Sequence, residues 1–292
     1  MQQSYTRREL DAIVATVSPR TGWDFSRMAT RRAAVPWEYE AVVAARIGPG
    51  DRVLDVGTGG GERFLSLAPR FVSDIVSGVG VSRGVSDGVF GGVSGGFSGL
   101  GIDIDPEMVA IATANGREVP QVSFRQSSEQ LETVTEHFDV ILNRHAPFSL
   151  SAVRDHLAPD GRFITQQVGE RNMLNIKGVL GGGRAGERGD AGEGDDAGIR
   201  PLPSAPISRS QFEGSGFRLV DFQEYDVEYV VEDAQSLVFW LQALDLLHAD
   251  VDGSEALADV DAFNAILDGN VIDGVFVTNE HRYLAEAVPL PR

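Results

Sequence analysis

An acidic residue and four glycines lie at positions 55 to 61, and three of the glycines have the spacing of a glycine-rich turn. Asp55 is followed by Gly57, Thr58, Gly59 and Gly61. Glycine allows the backbone to adopt positive φ and to approach a bound group closely. A helix that begins just after such a turn directs its N-terminal N–H groups and the positive end of its dipole toward that group. The pattern therefore predicts a site for a nucleotide-like cofactor.

The positions of the glycines separate two kinds of cofactor-binding turn. The dinucleotide fingerprint Gly-x-Gly-x-x-Gly would place a third glycine at position 62, where the chain has Glu62, so a nicotinamide dehydrogenase is disfavoured. The observed pattern, Asp-x-Gly-x-Gly-x-Gly over residues 55–61, resembles the first motif of the class I S-adenosylmethionine-dependent methyltransferases. The resemblance implies an α/β fold with a Rossmann-like, seven-stranded, mostly parallel sheet and helices on both faces. It also implies S-adenosyl-L-methionine as the cofactor.

The resemblance further implies how the turn is used. In that family the glycine turn passes the methionine part of the cofactor, and the acidic residue helps to order the turn and the cofactor's amino end. Carried over to this chain, the first expected cofactor contacts are Asp55, Gly57, Thr58, Gly59 and Gly61.

Asp103 matches the second acidic position of the same family, at the end of the second strand. A carboxylate there accepts hydrogen bonds from both ribose hydroxyls, for which it is a natural bidentate acceptor. Ile104 would then pack on the face of the adenine. Asp105 is instead expected to cap a helix that Pro106 opens.

Ser127 and Ser128 follow the segment 122–125, which we interpret as the third strand. Members of the family usually carry an Asp in this loop, and it bonds the adenine amino group. A serine hydroxyl can still accept one hydrogen bond. The Ser127 hydroxyl and the backbone of Ser128 are therefore candidate cofactor contacts.

The segment that follows the predicted fourth strand, residues 143–148, is the expected acceptor site. The carboxyl end of that strand opens onto the side where ligands bind in open α/β sheets. His145 could remove the acceptor's proton, and Asn143 could orient the acceptor and contact the cofactor. The alternative is that His145 faces solvent and Asn143 only ends the strand. Gln166 and Gln167, near the end of the predicted fifth strand, could also contact substrate.

Apolar periodicity predicts the elements that position these residues. A Pro-Asp-Gly turn is expected between a helix and the fifth strand. The predicted helices are at 6–17 and 234–248, and the predicted strands lie at or within 52–56, 100–103, 122–125, 138–143, 157–167, 217–225 and 274–279.

We expect one large domain, residues 35–292, after an N-terminal helical arm or lid, residues 1–34. Two stretches rich in glycine, at about 72–98 and 178–199, offer little to pack and are interpreted as low-complexity insertions. The first of them accounts for the distance between the glycine turn and Asp103, which exceeds the roughly twenty residues of the analogous dinucleotide fold.

The composition limits the setting of the protein. The chain has 292 residues, 42% of them hydrophobic, which suffices for one large α/β domain. Its formal charge is −18, and Lys177 is the only lysine among 25 Lys and Arg residues. This surface predicts a halophilic protein, because strong salt mutes self-repulsion, although an acidic protein from ordinary salt is the alternative. With no cysteine and five scattered His residues, neither a disulfide nor a metal site is expected. The sequence shows neither a membrane span nor a signal-peptide core, which predicts a cytoplasmic protein.

These features predict a methyltransferase that uses S-adenosyl-L-methionine to methylate a small-molecule acceptor. The nearest alternative is an RNA-modifying methyltransferase of the same fold, because strong salt weakens the argument that acidity excludes nucleic acid. A third reading, from another class, is a non-catalytic module that binds the cofactor. It would keep the glycine turn and Asp103 but have a blocked or featureless acceptor pocket.

Overall fold

The computed structural model describes residues 1–17, 25–68, 96–182, 209–244 and 260–291, with the backbone alone for 180–182. The chain divides into two units. The first unit comprises Met1–Ala34, Glu170–Leu202 and Tyr225–His281, and the second comprises Val35–Gly169, Pro203–Glu224 and Arg282–Arg292.

Nine strands and nine α-helices lie in the described ranges. The strands are β1 (Thr30–Arg32), β2 (Arg52–Val56), β3 (Ser98–Asp103), β4 (Val122–Gln126), β5 (Phe138–Arg144), β6 (Leu157–Val168), β7 (Phe217–Val231), β8 (Val271–Ile272) and β9 (Val275–Pro289). The helices are α1 (Arg7–Val14), α2 (Tyr39–Ala44), α3 (residues 62–68), α4 (Pro106–Asn115), α5 (Leu150–His156), α6 (Leu174–Gly182), α7 (Arg209–Gly214), α8 (Ala234–Ala243) and α9 (Val260–Leu267).

The second unit is built on five parallel strands in the order β4-β3-β2-β5-β6. The last part of β9 runs antiparallel to β6, with Ala287 opposite Phe163 and Arg282 opposite Val168. Val53 and Leu54 of β2 are fully buried, as expected of a central parallel strand covered on both faces. The expected α/β class and mostly parallel sheet are confirmed.

This topology brings the predicted site residues to one edge of the sheet. Parallel strands end at the same edge, and open α/β sheets bind ligands there. β2 ends just after Asp55, β3 ends at Asp103, and Ser127 directly follows β4. The same edge carries Asn143 and Arg144 at the end of β5.

Aromatic packing fixes one face of this sheet. The ring centroid of Phe148 lies 5.0 Å from that of Phe163 in β6 and 6.3 Å from that of Phe212 in α7. Phe163 and Phe212 are both fully buried. Burying one such side chain contributes about 1.5–3 kcal/mol, so these rings hold α7 against the loop that follows β5.

Two helices begin at the capping residues that the sequence predicts. Asp105 is the N-cap of α4 and accepts a hydrogen bond from the Glu107 N–H at 2.8 Å, and Pro106 opens the helix. Thr6 caps α1 in a reciprocal capping box with Glu9. The predicted helix at 6–17 is therefore confirmed, although the regular part ends at Val14.

The first unit combines short antiparallel pairings with four helices. β1 pairs with the end of β7, with Thr30 opposite Val231, and β8 pairs with the beginning of β9. α1, α6, α8 and α9 share one apolar core, whose fully buried members include Leu10, Leu237 and Phe263.

The strand count differs from the expected seven. β1 and β8 have three and two residues, too few for an alternating pattern to be visible in the sequence. β7 and β9 each run for 15 residues, much further than the predicted 217–225 and 274–279. The expected Pro-Asp-Gly turn also lies inside β6, which begins directly after α5. Its pairing with β5 shifts register between Phe138 and Val140, and this irregularity takes the place of the turn.

The predicted insertions fall largely outside the described residues. At the end of the first, Phe97 is buried and Ser98 already belongs to β3. At the beginning of the second, residues 178–182 form the last part of α6. This helix packs on the core of the first unit through Ile176. The glycine content of this stretch concealed the end of a helix.

Within the described ranges, no helix is long and apolar enough to cross a membrane. Likewise, no group of three or more His, Cys, Asp or Glu side chains there could hold a metal ion.

Candidate active site

The turn after β2 adopts the backbone conformation that its glycines permit. Gly57, Gly59 and Gly61 have φ values of +76°, +56° and +78°. The N–H groups of Gly57 and Thr58 both donate to the carbonyl of Ile102 at 2.9 Å, which ties the turn to β3. These bonds place the beginning of the turn beside the end of the neighbouring strand.

The three glycines are required for different reasons. A Cβ at Gly57 would lie 2.1 Å from the Cβ of Ala146, and one at Gly61 would lie 2.9 Å from the ring of Phe124. A Cβ at Gly59 would meet no atom within 4 Å among the described residues. Packing therefore explains Gly57 and Gly61, whereas Gly59 borders open space where a ligand could approach the backbone.

Asp103 is fixed directly beside this open space. Its Oδ2 accepts a hydrogen bond from the Gly59 N–H at 2.9 Å, and its Oδ1 accepts one from the Asp105 N–H at 3.0 Å. Each carboxylate oxygen keeps a further lone pair for another donor. The adjacent Ile104 is 66% exposed, unusual for a large apolar side chain. A preoriented acceptor and an apolar surface thus lie next to each other, as a nucleoside requires.

Asp55 has an unusual protonation equilibrium. Burial raises the pKa of its carboxyl to about 6, and the nearby Asp103 carboxylate adds to the increase. The nearby Thr58 hydroxyl and the charge of Arg144 act in the opposite direction. An approaching cation would favour the ionised form of Asp55.

Ser127 and Ser128 are oriented by Glu132, which the sequence did not indicate. The Ser128 hydroxyl donates to Glu132 Oε2 at 2.6 Å, and the Ser128 N–H donates to Oε1 at 3.2 Å. These bonds lower the pKa of Glu132, the Ser128 hydroxyl having the largest effect. Ser127 is buried, and its N–H donates to the carbonyl of Asp103 at 3.0 Å. The Ser128 hydroxyl oxygen accepts a hydrogen bond from the Gln130 N–H at 3.2 Å, so one lone pair is left for an amino group.

Asn143 is placed inside the sheet. Its side chain is fully buried, with Nδ2 donating to the Val56 carbonyl at 3.0 Å. Its Oδ1 accepts hydrogen bonds from the Thr165 hydroxyl at 3.0 Å and from Gln167 Nε2. The amide therefore connects β2, β5 and β6, and the carboxyl edge of the sheet is held together by it.

His145 belongs to a hydrogen-bonded chain on the second unit. The Trp37 indole N–H donates to Gln166 Oε1 at 2.7 Å, which directs Gln166 Nε2 toward His145 Nε2 at 3.0 Å. Arg282 Nη1 also lies 3.1 Å from His145 Nε2. Guanidinium and amide N–H groups can only donate, so Nε2 is the acceptor and a neutral ring carries its proton on Nδ1.

This arrangement has a chemical consequence for His145. The lone pair that a general base would use at Nε2 is already directed at Gln166 and Arg282. The backbone of His145 also has a φ of +58°, which is an uncommon conformation for a residue other than glycine. The backbone of His145 is held there by an N–H bond to the Gln166 carbonyl at 3.0 Å.

Comparison with known proteins identifies similar folds. No family model and no curated protein matches the sequence. A functionally unknown protein from Deinococcus radiodurans R1 superposes with a TM-score of 0.54 at 15% identity, over 90% of this chain and 92% of that one. A protein from Bacillus halodurans C-125, provisionally described as a methyltransferase, has a TM-score of 0.51 at 16% identity, over 86% and 97%. The YcgJ protein from Bacillus subtilis has a TM-score of 0.50 at 16% identity, over 87% and 99%. At such identities the similarity shows the fold alone.

Proposed function

We propose that this chain is an S-adenosyl-L-methionine-dependent methyltransferase that acts on a small-molecule acceptor. The observation that carries the proposal is the Asp103 carboxylate, whose two oxygens are fixed by the N–H groups of Gly59 and Asp105. It ends the strand next to the glycine turn, beside the open space at Gly59 and the exposed Ile104. A fold shared with a protein provisionally described as a methyltransferase adds support.

The residues present fit the parts of this cofactor. Asp103 offers a bidentate acceptor to the ribose hydroxyls, Ile104 offers an apolar surface to the adenine, and Ser127 and Ser128 offer hydroxyl oxygens to its amino group. The Asp55 carboxylate would favour the ammonium end of the methionine part. Gly57, Thr58, Gly59 and Gly61 form the turn along which that part would lie.

The chemistry needs positioning more than proton transfer. When bound, the cofactor supplies an electrophilic methyl group on a sulfonium, and the acceptor must approach it in line. Asn143 keeps the end of β5 in register with β2 and β6 through its buried amide. We assign His145 to the acceptor side of the site, where its ring is oriented by Gln166 and Arg282.

Calorimetric titration with S-adenosylhomocysteine tests the proposal. We expect Asp103→Ala to weaken binding by about 1.5–3 kcal/mol, the contribution of a hydrogen bond to a charged group. Asp105→Ala is the matched control, because it removes a carboxylate that lies two residues after Asp103 and caps α4. Equal affinities in the two variants would remove Asp103 from the site.

The acceptor class needs a second experiment. The protein is incubated with methyl-labelled cofactor and a cell extract, with and without nuclease treatment. A labelled product that survives nuclease and passes a small-pore filter supports a small-molecule acceptor. Label lost after nuclease treatment would indicate an RNA substrate, and tight cofactor binding without any transfer would indicate a non-catalytic module.

A further inference from the structure

Arg144, the last residue of β5, is a partly buried cation that forms no ion pair with a carboxylate in the described part of the chain. Its Nε is buried and has no hydrogen-bond partner among the described residues. Other partly buried arginines of the second unit are paired with carboxylates. Arg46 and Arg162 both contact Glu286, and Arg125 contacts Glu136.

Two further arginines lie near Arg144 although the chain is strongly acidic. Burial lowers the pKa of the Arg144 guanidinium, and the nearby charge of Arg63 lowers it further. Arg282 acts in the same direction, whereas Glu40 and the ring of Tyr39 oppose it. Glu40 already forms an ion pair with Arg63. Of the carboxylates that act on Arg144, Glu40 is therefore already paired with Arg63, and the second, Asp55, is buried beside it with a raised pKa.

The strand register places Arg144 on the face of the candidate site. Asp55 lies opposite Leu142, two residues before Arg144, so Asp55 and Arg144 point to the same side of the sheet. Gln166 lies opposite Arg144 in β6 and shares this side. The ring of Tyr39 lies 5.8 Å from the Arg144 guanidinium carbon on the same side.

A partly buried cation without an ion pair is costly unless an anion binds to it. Removing a guanidinium from water is unfavourable, and nearby like charges add to that cost. The planar fork of arginine fits carboxylate and phosphate oxygens in a bidentate manner. A bound oxyanion would therefore satisfy both the geometry and the charge of this cluster.

We propose that Arg144 anchors an oxyanion subsite that binds a carboxylate or phosphate group at the carboxyl edge of β5. The inference rests on the proposed function, since the oxyanion is carried either by the methyl acceptor or by the methionine part of the cofactor. In the first case the acceptors of this enzyme are anionic small molecules. In the second case, Asp55 binds the ammonium group and Arg144 the carboxylate of the cofactor's methionine part.

The test compares the wild type with three variants. Arg144→Gln removes the charge, Arg144→Lys keeps it without the fork, and Arg117→Gln removes a charge from an exposed position in the 3-10 turn after α4. Circular dichroism establishes that each variant is folded. S-adenosylhomocysteine and its decarboxylated analogue are titrated by calorimetry. Inorganic phosphate is then added at constant ionic strength, with and without S-adenosylhomocysteine, and thermal unfolding is followed.

Each result supports or overturns the subsite. If Arg144→Gln weakens S-adenosylhomocysteine at least tenfold but leaves the decarboxylated analogue unchanged, the oxyanion is the cofactor's own carboxylate. If Arg144→Gln binds S-adenosylhomocysteine with unchanged affinity, and phosphate raises the unfolding temperature of the wild type and of Arg117→Gln but not of Arg144→Gln, the oxyanion belongs to the acceptor. Arg144→Lys should fall between the wild type and Arg144→Gln. Identical behaviour of all four proteins in both titrations would overturn the subsite.

The proposed function can fail separately. If the folded wild type binds neither S-adenosylhomocysteine nor its analogue, the methyltransferase proposal is wrong. A phosphate effect that depends on Arg144 would then still establish the oxyanion subsite.

Discussion

Asp55 should link cofactor binding to pH. Burial raises the pKa of its carboxyl to about 6 in the free protein, so at about pH 6 roughly half of the molecules carry the proton. The ammonium group of the cofactor would favour the ionised form. Binding at that pH should therefore release about half a proton per molecule, and affinity should rise about tenfold, or about 1.4 kcal/mol, between about pH 5 and 7.

Calorimetry in two buffers of different ionisation enthalpy measures this proton release directly. S-adenosylhomocysteine carries the same ammonium group as the cofactor and is the ligand to titrate. The difference between the two apparent enthalpies gives the number of protons released. Asp55→Asn has the same shape without the titration, so its binding should release no proton and vary little over this pH range.

The same shift has a consequence for the stability of the free protein. The folded pKa of about 6 lies above the ordinary value of 3.8 for this carboxyl, so the native state binds more protons than the unfolded state between these values. The free energy of unfolding should therefore fall as pH rises through this window, by at most about 3 kcal/mol. Asp55→Asn should lack this part of the slope.

Two results would refute the reasoning. Proton release that is equal in the wild type and Asp55→Asn would show that another group titrates on binding. Affinity that falls as pH rises from about 5 to 7 would show that the bound ligand prefers the protonated carboxyl, contrary to an ammonium neighbour.

Three further predictions concern the turn, the acceptor side and the surface. Gly59→Val should abolish binding of S-adenosylhomocysteine by filling the open space, whereas the control Gly50→Val should not. Both positions have positive φ, and a Cβ at either would meet no described atom within 4 Å, so the two variants should lose comparable stability. Equal binding by the two variants would exclude the turn as the ligand site. His145→Ala should leave the affinity for S-adenosylhomocysteine within about twofold and lower the turnover rate by less than about tenfold, because Nε2 already accepts hydrogen bonds. A turnover rate lower by about a hundredfold or more would show general-base catalysis. With a charge of −18, the protein should unfold at a higher temperature in about 2 M KCl than in about 0.1 M, and an unchanged midpoint would contradict the halophilic interpretation.

The parts of the site that depend on local sequence could be predicted. The turn from Asp55 to Gly61 needs positive φ at glycine positions, and the structure has it at all three. The cap at Asp105 needs a carboxylate just before Pro106, and it is present. Short-range geometry decides both features, so residue type and spacing are sufficient to indicate them.

The contacts of the acceptor side depend on register and could not be predicted. Trp37 reaches Gln166 across 129 positions, and Arg282 reaches His145 across 137. The pairing of β6 with β5 and β9 brings His145, Gln166 and Arg282 together. For the same reason, the sequence left open whether Asn143 contacts a ligand or only ends the strand. Its amide lies in the interior because β2 and β6 both supply partners to it.

Binding of S-adenosyl-L-methionine by the purified, folded protein tests the central claim most directly. Titration calorimetry in low and in multimolar KCl should show one cofactor bound per chain, and Asp103→Ala should bind it at least about tenfold more weakly, as expected for a lost charge-assisted bond. If the folded wild type produces no binding heat and gains no thermal stability from the cofactor at either salt concentration, the account is contradicted.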